Sequence, residues 1–373
     1  MSTTKHLVVI GGGVTGLGIA AEAATRGFRV TVIERHTIGS GTTGSFHGIL
    51  HSGARYAVSE PDVARECYQE NQRLRQLIPE AITDTGGMFV AMNETEAAYS
   101  EKIMQACFRV GIPTTEITLD EARTREPALS YNLRRAFLVP DAFVDGPSVL
   151  EYCQRKATDS GALVEFIEHH TVASLPVAQG NIAGVTIKNT QTNQEREITC
   201  DYVINATGVW AGRVAALAGV DFSMVFDKGS MIVFEQKFAS VVLNRCRPEN
   251  DGDLLVPSGA GSIMGTTSRI IDDPDDALPT QEEIDSLLAD GSEMVPSLRG
   301  AAVQRIYAGV RPLMQQGVIA TAQGARSLSR SFQVLDHSEN NVNNFISVVG
   351  GKVTVFRLMA ERAVNLLEQK ASS

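Results

Sequence analysis

The sequence is poor in cysteine, has no paired cysteine motif and has no surplus of positive charge. Its cysteines are separated by long stretches of chain: Cys67, Cys107, Cys153, Cys200 and Cys246. An odd, scattered set is unsuited to a disulfide framework, a zinc site or an iron–sulfur cluster, so we predict no metal site and a reduced, cytoplasmic protein. Lys and Arg number 33 against 43 Asp and Glu, a net charge of −10. Because duplex-binding proteins usually present a basic face, nucleic acid is not an expected partner.

No segment predicts a transmembrane helix, so any membrane contact is expected to be peripheral, at the inner face. The apolar stretch 7–24 is similar to a signal peptide, but its five glycines would weaken a hydrophobic helix. Glu22 also lies where a cleavage region should be uncharged, so the stretch is better interpreted as two structural elements. With 373 residues, 43% hydrophobic and 20% charged, the chain has the composition of a folded protein of two domains, or of one large domain with an insertion.

The N-terminal residues predict a strand, a glycine-rich turn, a helix and a second strand. His6–Ile10 and Arg29–Glu34 are short apolar strands, and Val14–Arg26 has helical spacing. The turn between them has the pattern Gly11-x-Gly13-x-x-Gly16. In such a βαβ unit the first glycine permits the tight turn, the second lets a pyrophosphate approach the backbone, and the third allows close packing of helix and strand.

Glu34 ends the second strand, where a carboxylate accepts hydrogen bonds from the ribose hydroxyls of an adenine dinucleotide and disfavours a 2′-phosphate. The fingerprint alone does not distinguish NAD from FAD. Residues 205–208 (Asn-Ala-Thr-Gly) resemble the second dinucleotide-contacting motif of flavoproteins. Residues 350–354 open the last helix, where backbone N–H groups could hold the N1–C2=O edge of a reduced flavin. A nicotinamide enzyme needs neither feature, so we predict FAD.

Five blocks of sequence carry a resemblance to a known family: Gly44–Tyr56, Asn244–Arg247, Gly265–Thr267, Gly309–Pro312 and Gly350–Lys352. They make the chain similar to the FAD-dependent glycerol-3-phosphate dehydrogenases, nearest to the catalytic part of the anaerobic-type subunit, in the D-amino-acid-oxidase-like superfamily. The resemblance implies hydride transfer from sn-glycerol 3-phosphate, or a related phosphorylated polyol, to flavin N5, giving dihydroxyacetone phosphate. The first block is also similar to L-2-hydroxyglutarate oxidases, so a 2-hydroxy acid stays open as the substrate.

The predicted fold class is α/β, or α+β overall, with a Rossmann-like FAD-binding domain interleaved with an antiparallel-sheet substrate domain, as in the D-amino-acid-oxidase-like fold. We assign residues 1–85, 145–222 and 325–373 to the FAD-binding domain. Residues 86–144 and 223–324 are assigned to the substrate-binding domain.

Several charged and polar residues match the substrate-binding positions of the family. A phosphate dianion needs several cationic donors in this otherwise acidic protein, and the predicted substrate-binding residues are Arg55, Tyr56, Arg311, Arg330 and Lys352. His51 and Arg311 are the predicted catalytic residues, with His51 as the base because histidine titrates near neutrality. The predicted cofactor-binding residues are Gly11, Gly13, Thr15, Gly16, Glu34, Arg35, Thr42, Thr43, His47, Gly48, Val172, Ala206, Thr207, Gly208, Gly351, Lys352, Val353 and Thr354.

The resemblance leaves the electron acceptor open. The anaerobic-type subunit continues into a cysteine-bearing domain, whereas this sequence ends at Ser373, so we expect a quinone or an electron-accepting partner subunit. The single-chain branch has a histidine after a Lys-Gly-Ser motif; here Met231 follows Lys228-Gly229-Ser230, which weakens any mechanism that needs two histidines. Two rivals remain: an amine-oxidising flavoenzyme, and a flavin-binding electron-transfer subunit without its own substrate.

Overall fold

The fold comes from a computed structural model that describes residues 4–314 and 324–372. These residues form eight α-helices: α1 Val14–Thr25, α2 Pro61–Leu77, α3 Glu94–Val110, α4 Leu119–Arg125, α5 Gly146–Thr158, α6 Ala211–Ala216, α7 Gln281–Met294 and α8 Phe356–Ser372.

The same residues form 23 strands: β1 His6–Ile10, β2 Arg29–Ile33, β3 Ile49–Leu50, β4 Ile82–Thr83, β5 Gly87–Ala91, β6 Thr115–Ile117, β7 Arg135–Val139, β8 Ala142–Val144, β9 Val164–Ile167, β10 His170–Ser174, β11 Val177–Ala178, β12 Asn181–Ile182, β13 Gly184–Asn189, β14 Glu195–Thr199, β15 Tyr202–Asn205, β16 Met224–Phe234, β17 Val242–Arg245, β18 Leu254–Ser258, β19 Gly261–Gly265, β20 Arg269–Ile271, β21 Val303–Met314, β22 Phe332–Asp336 and β23 Phe345–Gly350.

The first sheet is a six-stranded layer in the order β22-β23-β15-β1-β2-β9. All neighbours in it are parallel except β22, which pairs antiparallel with β23. Side chains alternate along β1, so that Leu7 and Val9 pack with the helices α1 and α8, whereas Val8 and Ile10 pack against the antiparallel sheet β10-β13-β14. The sheet is therefore buried on both faces, which explains its continuous apolar strands.

The second sheet has nine strands and is mostly antiparallel. Eight follow the order β20-β16-β19-β18-β17-β5-β7-β6, and β21 pairs along the whole length of β16. One pair departs from the predicted antiparallel sheet, because β17 runs parallel to β5. Helix α7 covers one face, where Ile284 and Leu287 pack with buried strand residues such as Phe234 and Leu255. Strand β21 of this sheet contacts β23 of the first sheet.

Several elements differ in extent from the sequence prediction. The sequence predicts a helix from Val149 to Ser160, but the observed helix begins at Gly146, because the side chain of Asp145 accepts a hydrogen bond from the Ser148 N–H (2.9 Å) and Pro147 suits the first turn. The sequence predicts one extended stretch over 136–144, whereas the structure has two strands there, β7 and β8, that belong to different sheets. The sequence predicts strands at 231–234 and 306–310; the first is the C-terminal end of the longer β16, and the second is the central part of the longer β21.

The small sheet β3-β8-β4 links segments from both predicted domains, and the exact domain boundaries stay a prediction. Both predicted domains include residues that the structure does not describe, namely 1–3, 315–323 and 373. In the described residues no helix combines the length and the apolar character needed to cross a membrane.

Candidate active site

A continuous cavity of about 780 Å³ runs between the two sheets. It starts at the glycine-rich turn after β1 and ends at the strands β16 and β21, and it is lined by residues from both ends of the chain. All the predicted site residues line this cavity except Gly16, Gly48 and Thr354. Those three lie behind its wall, and the individual roles assigned from the sequence stay predictions.

The glycine-rich turn shows two different uses of glycine. A Cβ on Gly16 would lie 1.8 Å from the Gly11 carbonyl oxygen, and one on Gly11 would lie 2.6 Å from the Ala206 oxygen, so both positions are set by packing inside the protein. A Cβ on Gly13 would instead meet only the Thr43 hydroxyl oxygen, at 3.1 Å, because Gly13 faces the cavity. This residue leaves room for a group outside the protein, next to the N-terminus of α1.

Glu34 lies at the carboxyl end of β2, where it also lines the cavity. Its two carboxylate oxygens accept hydrogen bonds from the backbone N–H groups of Gly12 (2.8 Å) and His36 (2.9 Å), which fix the side chain. Arg35 lies over the ring of Trp210, at 4.3 Å from the ring centroid. Trp210 lines this end of the cavity but was not predicted, since the Asn-Ala-Thr-Gly motif before it gave no indication of stacking.

The turn before α8 lines the middle of the cavity. Gly350 (φ +84°) and Gly351 (φ +76°) both have left-handed backbone conformations. A Cβ on Gly350 would lie 2.6 Å from the Ser331 oxygen, and one on Gly351 would lie 2.5 Å from the Met359 sulfur. Lys352 follows as the N-cap of the one-turn 3₁₀ helix Val353–Val355, and no side chain of the described residues caps that helix. The N–H of Val355 donates to the Lys352 carbonyl oxygen (3.0 Å), so the N–H groups of Val353 and Thr354 at the helix start are the ones that could meet an electron-rich edge of a ligand.

Two histidines lie side by side at the far end, with ring centroids 5.6 Å apart. Nδ1 of His47 accepts a hydrogen bond from the Ile49 N–H (3.2 Å), which fixes this ring. In the described part of the chain the ring nitrogens of His51 have no hydrogen-bond partner, whereas its backbone N–H donates to Oγ1 of Thr354 (3.1 Å). The His51 ring also meets Tyr56 edge-on, at 5.4 Å, so its nitrogens are left for a ligand in the cavity.

Neither histidine is a proton donor near neutral pH. Burial, followed by the charges of His47, Lys352 and Arg55, lowers the pKa of His51 well below 6.5. Enclosure in the cavity, with Arg311 and Arg55 nearby, lowers the pKa of His47 to about 3. The expectation that His51 titrates near neutrality is therefore wrong. Its role as the base stays a prediction, because a neutral imidazole can still accept a proton.

The predicted cations come together beside the histidines. Arg55, Arg311, Arg330 and Lys352 all line this end of the cavity, with Tyr56 among them. Nζ of Lys352 lies 4.4 Å from the centre of the Tyr56 ring and donates to the Arg330 carbonyl oxygen (3.0 Å). Residues up to 297 positions apart in sequence thus form one cluster, which we call the cation cluster.

Each arginine of the cation cluster is paired with a carboxylate, which the sequence argument did not foresee. Arg55 binds the buried Asp253, Arg330 lies 3.4 Å from Glu249, and Arg311 lies 2.7 Å from Asp227. The positive charge of the predicted substrate-binding arginines is therefore largely neutralised.

Glu249 is the one of these three carboxylates that lines the cavity. Burial alone would raise the pKa of Glu249, but the surrounding guanidinium groups, Arg330 first, lower it below its ordinary value. Glu249 is thus a carboxylate anion inside the cavity.

Comparison with known proteins assigns the class. The family described as FAD dependent oxidoreductase (DAO) matches residues 6–349. The chain belongs to this family, which confirms the resemblance seen in the sequence. The cavity fits the cofactor in the family's description: Gly13 leaves space at a helix N-terminus, Glu34 is fixed as a carboxylate at the carboxyl end of β2, and the 3₁₀ helix that follows Lys352 begins with no side-chain cap.

Within this class, similarity is marked to one kind of subunit. The chain is 38% identical over 372 residues to the A1 subunit of the anaerobic glycerol-3-phosphate dehydrogenase of Haloferax volcanii, covering 97% of this chain and 63% of that protein. It is 37% identical over 372 residues to a subunit of the same kind from Escherichia coli K12, also named for anaerobic glycerol-3-phosphate dehydrogenase, covering 99% and 68%. The chain thus spans about two thirds of the length of these relatives.

The crystal structure of glycine oxidase from Geobacillus kaustophilus superposes with a TM-score of 0.80, at 21% identity, over 98% of this chain and 95% of that one. Identity this low shows the shared fold alone. The fold therefore does not choose between alcohol and amine substrates, and that choice depends on the residues of the cavity.

Proposed function

We propose that the chain oxidises sn-glycerol 3-phosphate, or a related phosphorylated polyol, to dihydroxyacetone phosphate or the corresponding ketone. The observation that carries the proposal is the position of the cation cluster beside His51, which lines the same cavity. A phosphate needs several guanidinium and ammonium donors, and an alcohol needs a proton acceptor within reach of its hydroxyl. The cation cluster and His51, which could meet these two requirements, lie at the same end of the cavity.

In this proposal Arg311, Arg330 and Lys352 bind the phosphate, and the free hydroxyl next to it points to His51. A ring nitrogen of His51 takes the hydroxyl proton, and the carbon–hydrogen bond breaks as the carbonyl forms. When bound, FAD supplies the acceptor for the hydride. The residues at 350–353 would hold the flavin, and Glu34 and Gly13 would hold its adenosine and pyrophosphate.

The electrons must then leave for a second acceptor. The relatives from Haloferax volcanii and Escherichia coli are named as subunits of an anaerobic glycerol-3-phosphate dehydrogenase. Their names support the proposal that this chain also works with an electron-accepting partner subunit, and a quinone is the alternative acceptor. The division into an FAD-binding and a substrate-binding domain is supported by the two separate sheets that border the cavity.

The substrate is tested by anaerobic bleaching of the flavin. Adding glycerol 3-phosphate to the FAD-loaded protein without oxygen is expected to abolish the visible flavin absorbance, because the two electrons have no other acceptor. Bleaching by L-2-hydroxyglutarate or an amino acid instead, with none by glycerol 3-phosphate, would overturn the proposal. Bound FAD that no small alcohol reduces would favour a subunit that only transfers electrons.

Arg311 should be required for phosphate binding. We expect Arg311→Ala to raise KM for the phosphorylated substrate about 10-fold or more, since a hydrogen bond between charged groups contributes roughly 1.5–3 kcal/mol. Arg305→Ala is the matched control, because Arg305 lies on the same strand β21 but its guanidinium stacks on Tyr307 (4.6 Å) outside the cavity. Steady-state kinetics of both variants measure the effect, and an unchanged KM in Arg311→Ala would remove this residue from the phosphate site.

A further inference from the structure

Asp227 is a buried carboxylate behind the cation cluster. It has no exposed surface and does not line the cavity, yet its Oδ2 accepts hydrogen bonds from Nη1 of Arg311 (2.7 Å) and Nη1 of Arg330 (3.4 Å). Its other oxygen, Oδ1, accepts from the Ser268 hydroxyl (2.6 Å). One carboxylate oxygen therefore joins two arginines that are 19 residues apart in the sequence.

The strand register explains why Asp227 meets Arg311. The two residues are directly opposite each other in the antiparallel pair β16–β21. Gly229 lies two positions further along β16 and so points to the same face as Asp227. A Cβ on Gly229 would lie 2.6 Å from Nη2 and 3.0 Å from Cζ of Arg311, so the guanidinium rests on the bare backbone of this glycine.

The remaining contacts of Arg311 fix its orientation. Nη2 donates to the Thr267 carbonyl oxygen (3.1 Å) and to the Thr266 hydroxyl. A guanidinium has five N–H donors, and three of those of Arg311 are used by these two threonines and Asp227. Within the described residues, the Nε–H and one Nη1–H stay available, in a group that lines the cavity.

We propose that Asp227 and Gly229 are positioning residues that hold Arg311, and through Asp227 also Arg330, in one fixed geometry for binding the anionic group of the substrate. Asp227 supplies the charge that orients both guanidinium groups, and Gly229 supplies the space for one of them. The inference rests on the proposed function, in which Arg311 binds that anion. It adds that Asp227, which does not line the cavity, helps to fix the geometry of the anion site.

The test measures the binding of inorganic phosphate to the FAD-loaded protein, read from the change in flavin absorbance, beside KM and kcat for glycerol 3-phosphate. Asp227→Asn keeps the shape and removes the charge. Gly229→Ala adds a methyl group that meets the movable end of Arg311, so the guanidinium shifts and the backbone can stay in place. We expect the phosphate Kd and the substrate KM to rise about 10-fold or more in both variants, with kcat changed much less.

Glu116→Gln is the matched control, because Glu116 orients Arg135 (2.5 Å) in the same way, on the surface and away from the cavity. A general loss of stability would lower the FAD content and kcat of a variant and leave the phosphate Kd of its folded fraction unchanged, a result that would overturn the inference. If Asp227→Asn cannot be purified with FAD, Gly229→Ala decides alone.

Arg311→Ala distinguishes a failure of the positioning role from a failure of the proposed function. If it weakens phosphate binding while Asp227→Asn and Gly229→Ala bind phosphate like the parent protein, the positioning role is wrong and the proposed function stands. If Arg311→Ala itself binds phosphate normally, the anion site is elsewhere, and both the proposed site and the positioning role fall.

Discussion

Replacing Gly13 with valine is expected to give a folded protein that purifies without FAD. The backbone of Gly13 is extended (φ −77°, ψ 179°), a conformation that valine adopts readily. An added Cβ would meet only the Thr43 hydroxyl oxygen (3.1 Å), a tight contact with a side-chain atom that can give by a few tenths of an ångström, so the fold should tolerate the substitution. The isopropyl group would occupy the place where a pyrophosphate must approach the N-terminus of α1.

Two measurements separate loss of the cofactor from loss of the fold. The visible flavin absorbance of the purified protein reports FAD, and far-ultraviolet circular dichroism reports the helices. Gly16→Val is the contrasting variant, because a Cβ at that position would lie 1.8 Å from the Gly11 oxygen, and we expect this protein to misfold. Yellow Gly13→Val protein with one FAD per chain would show that the pyrophosphate does not bind at this turn.

The N-terminal unit could be predicted because its signals are local. The alternation of apolar residues, the glycines of the turn and the carboxylate of Glu34 all lie within one βαβ segment, and the observed β1, α1 and β2 match the prediction to within a residue. Local signals also predict helices over 94–110 and 281–294, and the observed α3 and α7 have these bounds. Their N-caps Asn93 and Thr280 each accept a hydrogen bond from the N–H of the residue three positions on. The residues around Asp145 are also typical of a turn, so the sequence places the start of α5 too late in the chain.

The carboxylates of the cation cluster could not be predicted from spacing. Asp227 is 84 residues from Arg311, and Asp253 is 198 residues from Arg55, so no periodicity connects them. The first pair depends on the register of β16 and β21, and the second depends on β18 lying in the sheet over the N-terminal segment. Sequence blocks showed which cations to consider, but only the strand register showed which charges oppose them.

The pKa of His51 likewise could not be predicted from the sequence. A histidine in a sequence is expected to titrate near 6.5, yet burial and the neighbouring Lys352 and Arg55 lower the pKa of His51 far below that value. Those neighbours come from the end of the chain and from a turn of the N-terminal segment, and their effect depends on the closed cavity. In the proposed role of base, His51 is therefore neutral and weak, which limits the expected size of its contribution.

Replacing His51 with alanine is expected to slow flavin reduction by glycerol 3-phosphate about 10²-fold, the lower end of the usual range for a positioned base, because proton transfer to a weak base gains less. Phosphate binding should change little, since the phosphate donors belong to the cation cluster. Stopped-flow reduction without oxygen measures the rate constant. His169→Asn is the control: His169 lies outside the cavity at φ +58°, a conformation that asparagine tolerates. A near-normal rate in His51→Ala would exclude the base role.

The pH dependence gives an independent check on the same residue. A lowered pKa means that His51 keeps its proton-accepting, neutral form as the pH falls through 6.5 and loses it only well below that value. With substrate saturating, so that ionisation of its phosphate near pH 6 does not limit binding, the rate constant of flavin reduction should therefore stay level from about pH 8 to about pH 6. An exposed histidine would halve the rate at its ordinary pKa of 6.5. An acid limb centred there, present in the parent protein and absent from His51→Ala, would show that His51 is the base but is solvated, and that the cavity is more open during turnover than the structure shows.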